Sequence, residues 1–291
     1  MGEGYRVKKD GKTFWASVVL TALHDDKNNL IGFSKITRDL TERKKSEDSL
    51  KQYTEELEFR NRELEQFAFI ASHDLQEPLR VIQMYSQLFD KKEADADTYI
   101  SKIQAAARRM QELIKSVLNY SRLTTSTDKF VKTDLNSTLH NVLLDYDLMI
   151  TERKGKITSE KLPEIDGIPI QLHQLFSNLI SNSLKFAKND PVINISSATL
   201  KANDMAHYPF LNPSVRYIEL QFSDNGIGFN QEYADKIFEV FQRLHEKSEY
   251  SGTGVGLALC KKIVANHHGY IYAKGMPGEG SVFYVYLPVR Q

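Results

Sequence analysis

This chain of 291 residues has almost no cysteine: Cys260 is the only one. A single thiol cannot close an internal disulfide, so a stapled secreted scaffold is excluded and a reducing compartment, the cytoplasm, is expected. Long apolar runs are also missing. Nothing approaches the roughly 18 residues a spanning helix needs, so no membrane segment is expected here. The opening "MGEGYRVKKDG" lacks the apolar core of a signal peptide. Neither charge sign is in surplus, with 38 Lys+Arg against 38 Asp+Glu. Net charge therefore argues for no nucleic-acid or anionic-membrane partner, and no basic stripe suggests one. Internal repeats and low-complexity tracts are absent as well. What remains is an ordinary globular composition, 41% hydrophobic and 26% charged, on a length that suits about two domains.

Along the chain the character changes several times. Residues 5–38 carry β-rich runs broken by the turn-like "KDGK" and "DDKNN", which predicts two or three antiparallel strands. That is too little sheet for an independent core, so it reads as part of a domain. In residues 41–70, fourteen of thirty residues are charged, with both signs mixed. Leu50, Leu57, Leu64 and Ala71 recur every seven residues, with Tyr53 and Phe67 at the offset of three. This seam predicts a parallel coiled-coil dimer, although Arg60 interrupts it. The alternative is one amphipathic helix packed on its own domain. Helical pattern continues through "QFAFIASHDLQEPLRVIQMYSQLF", breaks at the polar "DKKEADAD", and resumes from Thr98 to Ser121. Two helices and a short loop form a hairpin, and two hairpins would make a four-helix bundle. From Phe130 the pattern is mixed. Helices are predicted at 135–153, 171–188, 231–241 and 254–266, and strands at 192–200, 215–223, 270–274 and 281–288.

Four stretches carry chemistry. In "NLISNSLKF", Asn178 and Asn182 are one helical turn apart and Lys185 is three further on, so all three share a face. Amide oxygens are hard ligands for Mg²⁺ and an ammonium suits phosphate, although a solvated polar face would look the same. In "DNGIGF", Asp224 can accept from an adenine amino group, and Gly226 and Gly228 let backbone approach a flat base; the same letters often mark a plain turn. "GTGVGLALCKKIV" is a glycine loop (Gly252, Gly254, Gly256) opening a helix, a phosphate-compatible arrangement but neither a Walker A nor a Rossmann sequence. "PGEGSVFYVYLP" adds a third glycine turn before a strand. Cys260 reads as a small core residue, and the eight histidines show no metal-ligand spacing.

Taken together and in this order, the boxes resemble the sensor histidine kinases of two-component systems. "NLISNSLKF", "DNGIGF", "IFEVFQR", "GTGVGL" and "GEGSVF" resemble that family's N box, first glycine box, F box, second glycine box and third glycine turn. "FAFIASHDLQEPLR" resembles its H box. "YRVKKDGKTFWASV…GFSKITRDLTERKKSE" resembles the C-terminal part of a PAS domain. The resemblance implies a multidomain α and α+β protein. Its parts would be a partial PAS-like β segment (1–40), a coiled-coil signalling helix (41–66), an antiparallel helical-hairpin dimerisation and phosphotransfer domain (67–125) and an α/β sandwich ATP-binding domain (126–291). It implies a homodimer that uses ATP and Mg²⁺ to phosphorylate His73 and then passes the group to an aspartate of a separate response regulator. Asp74 would orient the imidazole, and Pro78 would bend the helix just beyond it. Asn182 would hold Mg²⁺ with Asn178 beside it, Lys185 would meet phosphate, and Phe186 would lie at the adenine face. Asp224 would read adenine, the glycines would shape the pocket, and Arg243 would reach the γ-phosphate. Many relatives carry Thr or Asn four residues after the histidine; Glu77 stands there, which implies a kinase-dominant protein. Two other readings compete: a gyrase-type clamp ATPase with water as acceptor, and a scaffold that binds without turnover.

Overall fold

The computed structural model describes residues 2–90, 96–125, 129–200, 208–242, 244 and 253–290. The chain divides into two compact units, residues 1–69 and 70–291.

In the first unit, β1 (Gly2–Val7), β2 (Thr13–His24) and β3 (Leu30–Asp39) form an antiparallel sheet in sequence order. The long helix α1 (Thr41–Asp90) starts directly from it. Asp39 sets that start: its carboxylate accepts from the Thr41 N–H at 3.0 Å and the Thr41 hydroxyl at 2.6 Å. These bonds hold the carboxyl below its ordinary pKa. Thr41 Oγ1 in turn accepts from the Trp15 N–H at 3.1 Å, tying the helix to β2. Along α1, Arg43–Glu47 and Lys44–Asp48 pair one turn apart, as a solvated helix surface does. The heptad residues Leu50, Tyr53 and Leu57 are exposed in the single chain, at 67%, 70% and 69%.

In the second unit, α1 continues without interruption through Pro78. With α2 (Ala96–Thr125) it forms the hairpin, where Tyr85 and Tyr99 meet at 5.7 Å and Tyr99, Ala106 and Leu113 are buried. A five-stranded mixed sheet follows, in the order β5-β7-β8-β10-β9: β5 (Lys156–Ser159), β7 (Val192–Thr199), β8 (Tyr217–Asp224), β9 (Tyr270–Met276) and β10 (Gly280–Pro288). Only the β5–β7 pair is parallel. One face is covered by α3 (Leu135–Asp145), α5 (Pro169–Phe186) and α6 (Gly256–Asn266). Alternation sorts the strands: Ile218, Leu220 and Phe222 point at the helices, while Tyr217 belongs to a second, tyrosine-rich cluster with Tyr286 and Leu211. Phe176 meets Phe222 edge-to-face at 5.1 Å in the helix–sheet core. β4 (Val131–Asp134) and β6 (Glu164–Gly167) make a separate antiparallel ribbon.

Several predicted elements come out differently. The helix at 135–153 is broken at Tyr146, after which α4 (Asp147–Glu152) continues; the Tyr146 hydroxyl bonds Ser177 on α5 at 2.9 Å. The stretch 231–241 is two 3₁₀ turns, Gln231–Tyr233 and Lys236–Phe238, and not a helix. Gln231 is committed elsewhere: its amide donates to the Ala273 carbonyl at 3.2 Å and accepts from the Gly275 N–H at 3.1 Å, capping the free edge of β9. The helix predicted from 254 starts at Gly256, because Gly254 has φ +71. The four-residue strands β4, β5 and β6 were not predicted. They are too short to show a period.

His267 ends α6 as a buried rivet. Its Nδ1–H donates to the Ile263 carbonyl at 2.8 Å, its Nε2 accepts the Ile168 N–H at 3.0 Å, and Phe130 meets its ring edge-on at 5.3 Å. Burial, helped by the nearby His268 charge, pushes its pKa below 6.5. The unfolded ring binds its proton first as pH falls. The stabilisation is therefore complete above about pH 6.5 and lost as pH drops from there through the depressed folded value. The thermal midpoint should fall between about pH 7 and pH 5, and His267→Gln should flatten that limb. Parallel profiles for parent and variant would refute this.

Candidate functional site: a glycine-walled carboxylate beside helix α5

The site is built where β8 ends. Asp224 is its last residue, largely buried, and each carboxylate oxygen is held. Oδ1 accepts from the Gly226 N–H at 2.9 Å, Oδ2 accepts from the Ser183 hydroxyl at 3.2 Å, and the Ser281 hydroxyl approaches both, at 3.2 and 3.0 Å. Burial raises the carboxyl pKa, while these donors pull it back. The result is an oriented acceptor at the end of β8.

The next residues wall it. Asn225 pins the neighbouring loop, with Oδ1 accepting the Val192 N–H at 2.8 Å and Nδ2 donating to the Asp190 carbonyl at 3.1 Å. Ile227 N–H bonds the Phe186 carbonyl at 3.0 Å, fixing the turn to the end of α5. Gly228 has φ +62, and a Cβ there would lie 2.0 Å from the Met276 carbonyl oxygen. Gly280, at φ +120, would place one 2.0 Å from the Asp224 carbonyl oxygen. The first glycine box and the third glycine turn thus interlock through backbone that admits no side chain.

Asn178, Asn182 and Lys185 are half-buried on α5, and Asn178 lies beside Gly256 at the start of α6. Asn178 Oδ1 accepts from Gln174 Nε2 at 3.1 Å. Its Nδ2 is buried with no oxygen or nitrogen partner among the described residues. Lys185 Nζ lies 4.3 Å from the Phe186 ring centre. At the second glycine box, the Phe241 N–H bonds the Gly254 carbonyl at 2.9 Å, and both residues are left-handed, at φ +64 and +71. Gly256 opens α6 with open space around it; a Cβ would come no nearer than 3.9 Å, to Asn178 Oδ1. Gly252 and Arg243 lie outside the described residues.

Residues 167–291 match the family described as histidine kinase-, DNA gyrase B-, and HSP90-like ATPase, and residues 63–126 match the His Kinase A (phospho-acceptor) domain. The chain thus carries one segment matching each of these two domain models. Cyanobacterial phytochrome A of Nostoc sp. (strain PCC 7120) is 40% identical over 248 residues, covering 83% of this chain and 31% of the phytochrome. Sporulation kinase C of Bacillus subtilis is 27% identical, covering 98% of this chain and 63% of the kinase. The chain thus spans about a third of the first relative and under two thirds of the second. The crystal structure of histidine kinase ThkA in complex with response regulator protein TrrA has the same fold, at TM-score 0.60 and 18% identity over 99% of this chain and 78% of that one.

The phospho-acceptor domain holds His73 and Asp74 within α1; Asp74 is half-buried, and the His73 side chain lies outside the described set. The ATPase domain touches this domain's second helix at both ends of α6. Ser116 Oγ lies 3.3 Å from Thr253 Oγ1, and Asn266 Nδ2 donates to the Leu123 carbonyl at 3.0 Å. Cys260, fully buried in α6, has its thiol pKa pushed up to about 12, which makes it inert packing. Among the described residues no helix is long and apolar enough to cross a membrane, and no group of three or more His, Cys, Asp or Glu could hold a metal ion.

Sequence reasoning missed Ser183, Ser281, Gly280, Asn225 and Gln174. Ser281 and Gly280 stand in "GEGSVF" and could have been singled out there. Ser183 and Gln174 give no signal of their own, since a serine or glutamine inside a helix usually marks only a polar position.

Proposed function

We propose that this chain is a sensor histidine kinase that transfers the γ-phosphoryl group of ATP to His73 and then to an aspartate of a separate response regulator. The observation that carries the reading is Asp224: a largely buried carboxylate, held by the Gly226 N–H and the Ser183 and Ser281 hydroxyls, beside glycines whose positions admit no side chain. An acceptor held this way suits the exocyclic amine of adenine and repels the carbonyl oxygen that guanine presents there. Phe186 lies at the base, and Gly226, Gly228, Gly252, Gly254 and Gly256 shape the pocket. Asn182 would hold Mg²⁺ with Asn178 beside it; their hard amide oxygens, with Asn178 Oδ1 lying toward Gly256 at the start of α6, fit the cation at a polyphosphate end. Bound Mg²⁺ would neutralise charge on the β- and γ-phosphate oxygens. Lys185 and Arg243 add positive charge. In the transfer, a His73 ring nitrogen forms the N–P bond as the bond from the γ-phosphorus to its bridging oxygen breaks, and ADP leaves with that electron pair. Asp74 holds the other ring N–H and supports the growing imidazolium.

The exposed Leu50, Tyr53 and Leu57 support a coiled-coil homodimer, which would bury this stripe. The three-stranded sheet and its Asp39–Thr41 exit support the PAS-like reading of residues 1–40. A lone buried thiol suits the cytoplasm. Glu77 supports kinase over phosphatase output.

The test is incubation with γ-labelled ATP and Mg²⁺. The parent should take up acid-labile, base-stable label, and His73→Gln should take up none. Equal label on both would move the acceptor elsewhere; phosphate release without label would favour a clamp ATPase.

A further inference from the structure

We propose that Gln174 is a positioning residue for the metal–phosphate end of the nucleotide site, acting through Asn178; the inference rests on the ATP-binding reading above. The two residues are one turn apart on α5, and Gln174 Nε2 donates to Asn178 Oδ1 at 3.1 Å. On its other side, Asn178 Nδ2 is buried without an oxygen or nitrogen partner among the described residues and faces the Cys260 sulfur, a weak acceptor. That side weakly favours the nitrogen, since the Cys260 S–H is directed to the Leu175 carbonyl at 4.0 Å and leaves only sulfur lone pairs for the amide. Gln174 fixes that choice from the half-exposed side, where its stronger N–H donor is met by the oxygen.

This choice has a chemical consequence. An amide oxygen has two acceptor positions, and Gln174 uses one. The second stays available to a hard cation. Rotating the amide by half a turn would present N–H groups to that cation instead. Gln174 therefore does for an amide ligand what a hydrogen-bonded outer partner does for a metal-bound histidine: it fixes which atom points inward. Its own burial does not explain its place, since the adjacent Leu175 and Phe176 are fully buried in the core while Gln174 is half-exposed on the site side.

The test uses Gln174→Met, which keeps the length and removes the donor. ADP affinity is measured by calorimetry in excess Mg²⁺ and in EDTA, for the parent, Gln174→Met, Asn178→Ala and the double variant, with the thermal midpoint of each. The affinity gain from Mg²⁺ should fall about tenfold or more in Gln174→Met, the scale seen when an outer partner of a metal ligand is lost. Affinity in EDTA should stay within about threefold of the parent. In the Asn178→Ala background, Gln174→Met should add nothing, because the group it orients is gone. An unchanged Mg²⁺ gain, equal losses with and without Mg²⁺, or additive effects in the double variant would overturn the proposal. A parent that binds no ADP would instead remove the nucleotide-site reading, and the Gln174 role with it.

Discussion

Asp224→Asn should bind ATP about 100-fold more weakly than the parent while the domain stays folded. The substitution is nearly isosteric, so the core facing β8 is undisturbed. The electrostatics change. The carboxylate accepts from Gly226 N–H, Ser183 and Ser281 in its own surroundings, and each oxygen is already oriented before a base arrives. An amide replaces one acceptor oxygen by a donor. That NH₂ must face the Gly226 N–H, the serine hydroxyls or the adenine amine. Hydroxyls can rotate to accept; a backbone N–H and an exocyclic amine cannot. A charged hydrogen bond lost at a dry site costs about 1.5–3 kcal/mol, and the upper end corresponds to roughly 100-fold in binding. Calorimetry with ADP reads the loss directly. Affinity within about threefold of the parent would mean that Asp224 does not meet the base.

Gly228→Ala should lower the thermal midpoint of the ATPase domain and abolish nucleotide binding. The added Cβ would lie 2.0 Å from the Met276 carbonyl oxygen and 2.7 Å from that of Gly280. Neither oxygen can retreat cheaply. Met276 ends β9, and the turn after it is closed by the Gly278 N–H donating to the Ile227 carbonyl at 2.7 Å. The backbone at 228 must therefore abandon φ +62, and the interlock of the two glycine turns opens with it. Strain of this kind costs about 3 kcal/mol or more, or roughly 6–12 °C for a domain of this size. Gly256→Ala is the contrast in thermal stability: its nearest neighbour would be 3.9 Å away, so its midpoint should match the parent's. Equal midpoints for Gly228→Ala and Gly256→Ala would show that the interlock does not constrain the fold.

The helix that carries the site was legible from its letters. Leu172, Leu175, Phe176, Leu179 and Ile180 recur at helical spacing, and Asn178, Asn182 and Lys185 fall between them, so a buried face and a site face separate on α5 without any tertiary information. The same rule misled at 231–241. Ile237, Phe238 and Phe241 also stand at helical spacing, and all three are buried, yet the backbone there is two 3₁₀ turns and a left-handed Phe241. Gln231 pairing with the β9 edge and Phe241 pairing with Gly254 are contacts with residues distant in the chain, and they outweigh a short stretch's helical preference.

Order and spacing of residues by themselves determined the chemistry on offer: a histidine beside an acid on one helix, two amides and an ammonium on another, and three glycine turns flanking an aspartate. Residue types at fixed offsets on regular elements need only local geometry to be read. Only the tertiary structure decided which atoms point where. That Ser183 and Ser281 hold Asp224, and that a side chain at Gly228 would strike Met276 and one at Gly280 would strike Asp224, depend on a few tenths of an ångström between segments far apart in sequence. Hydrogen bonds and steric exclusion act at that range, and no pattern of letters encodes it until the chain has folded.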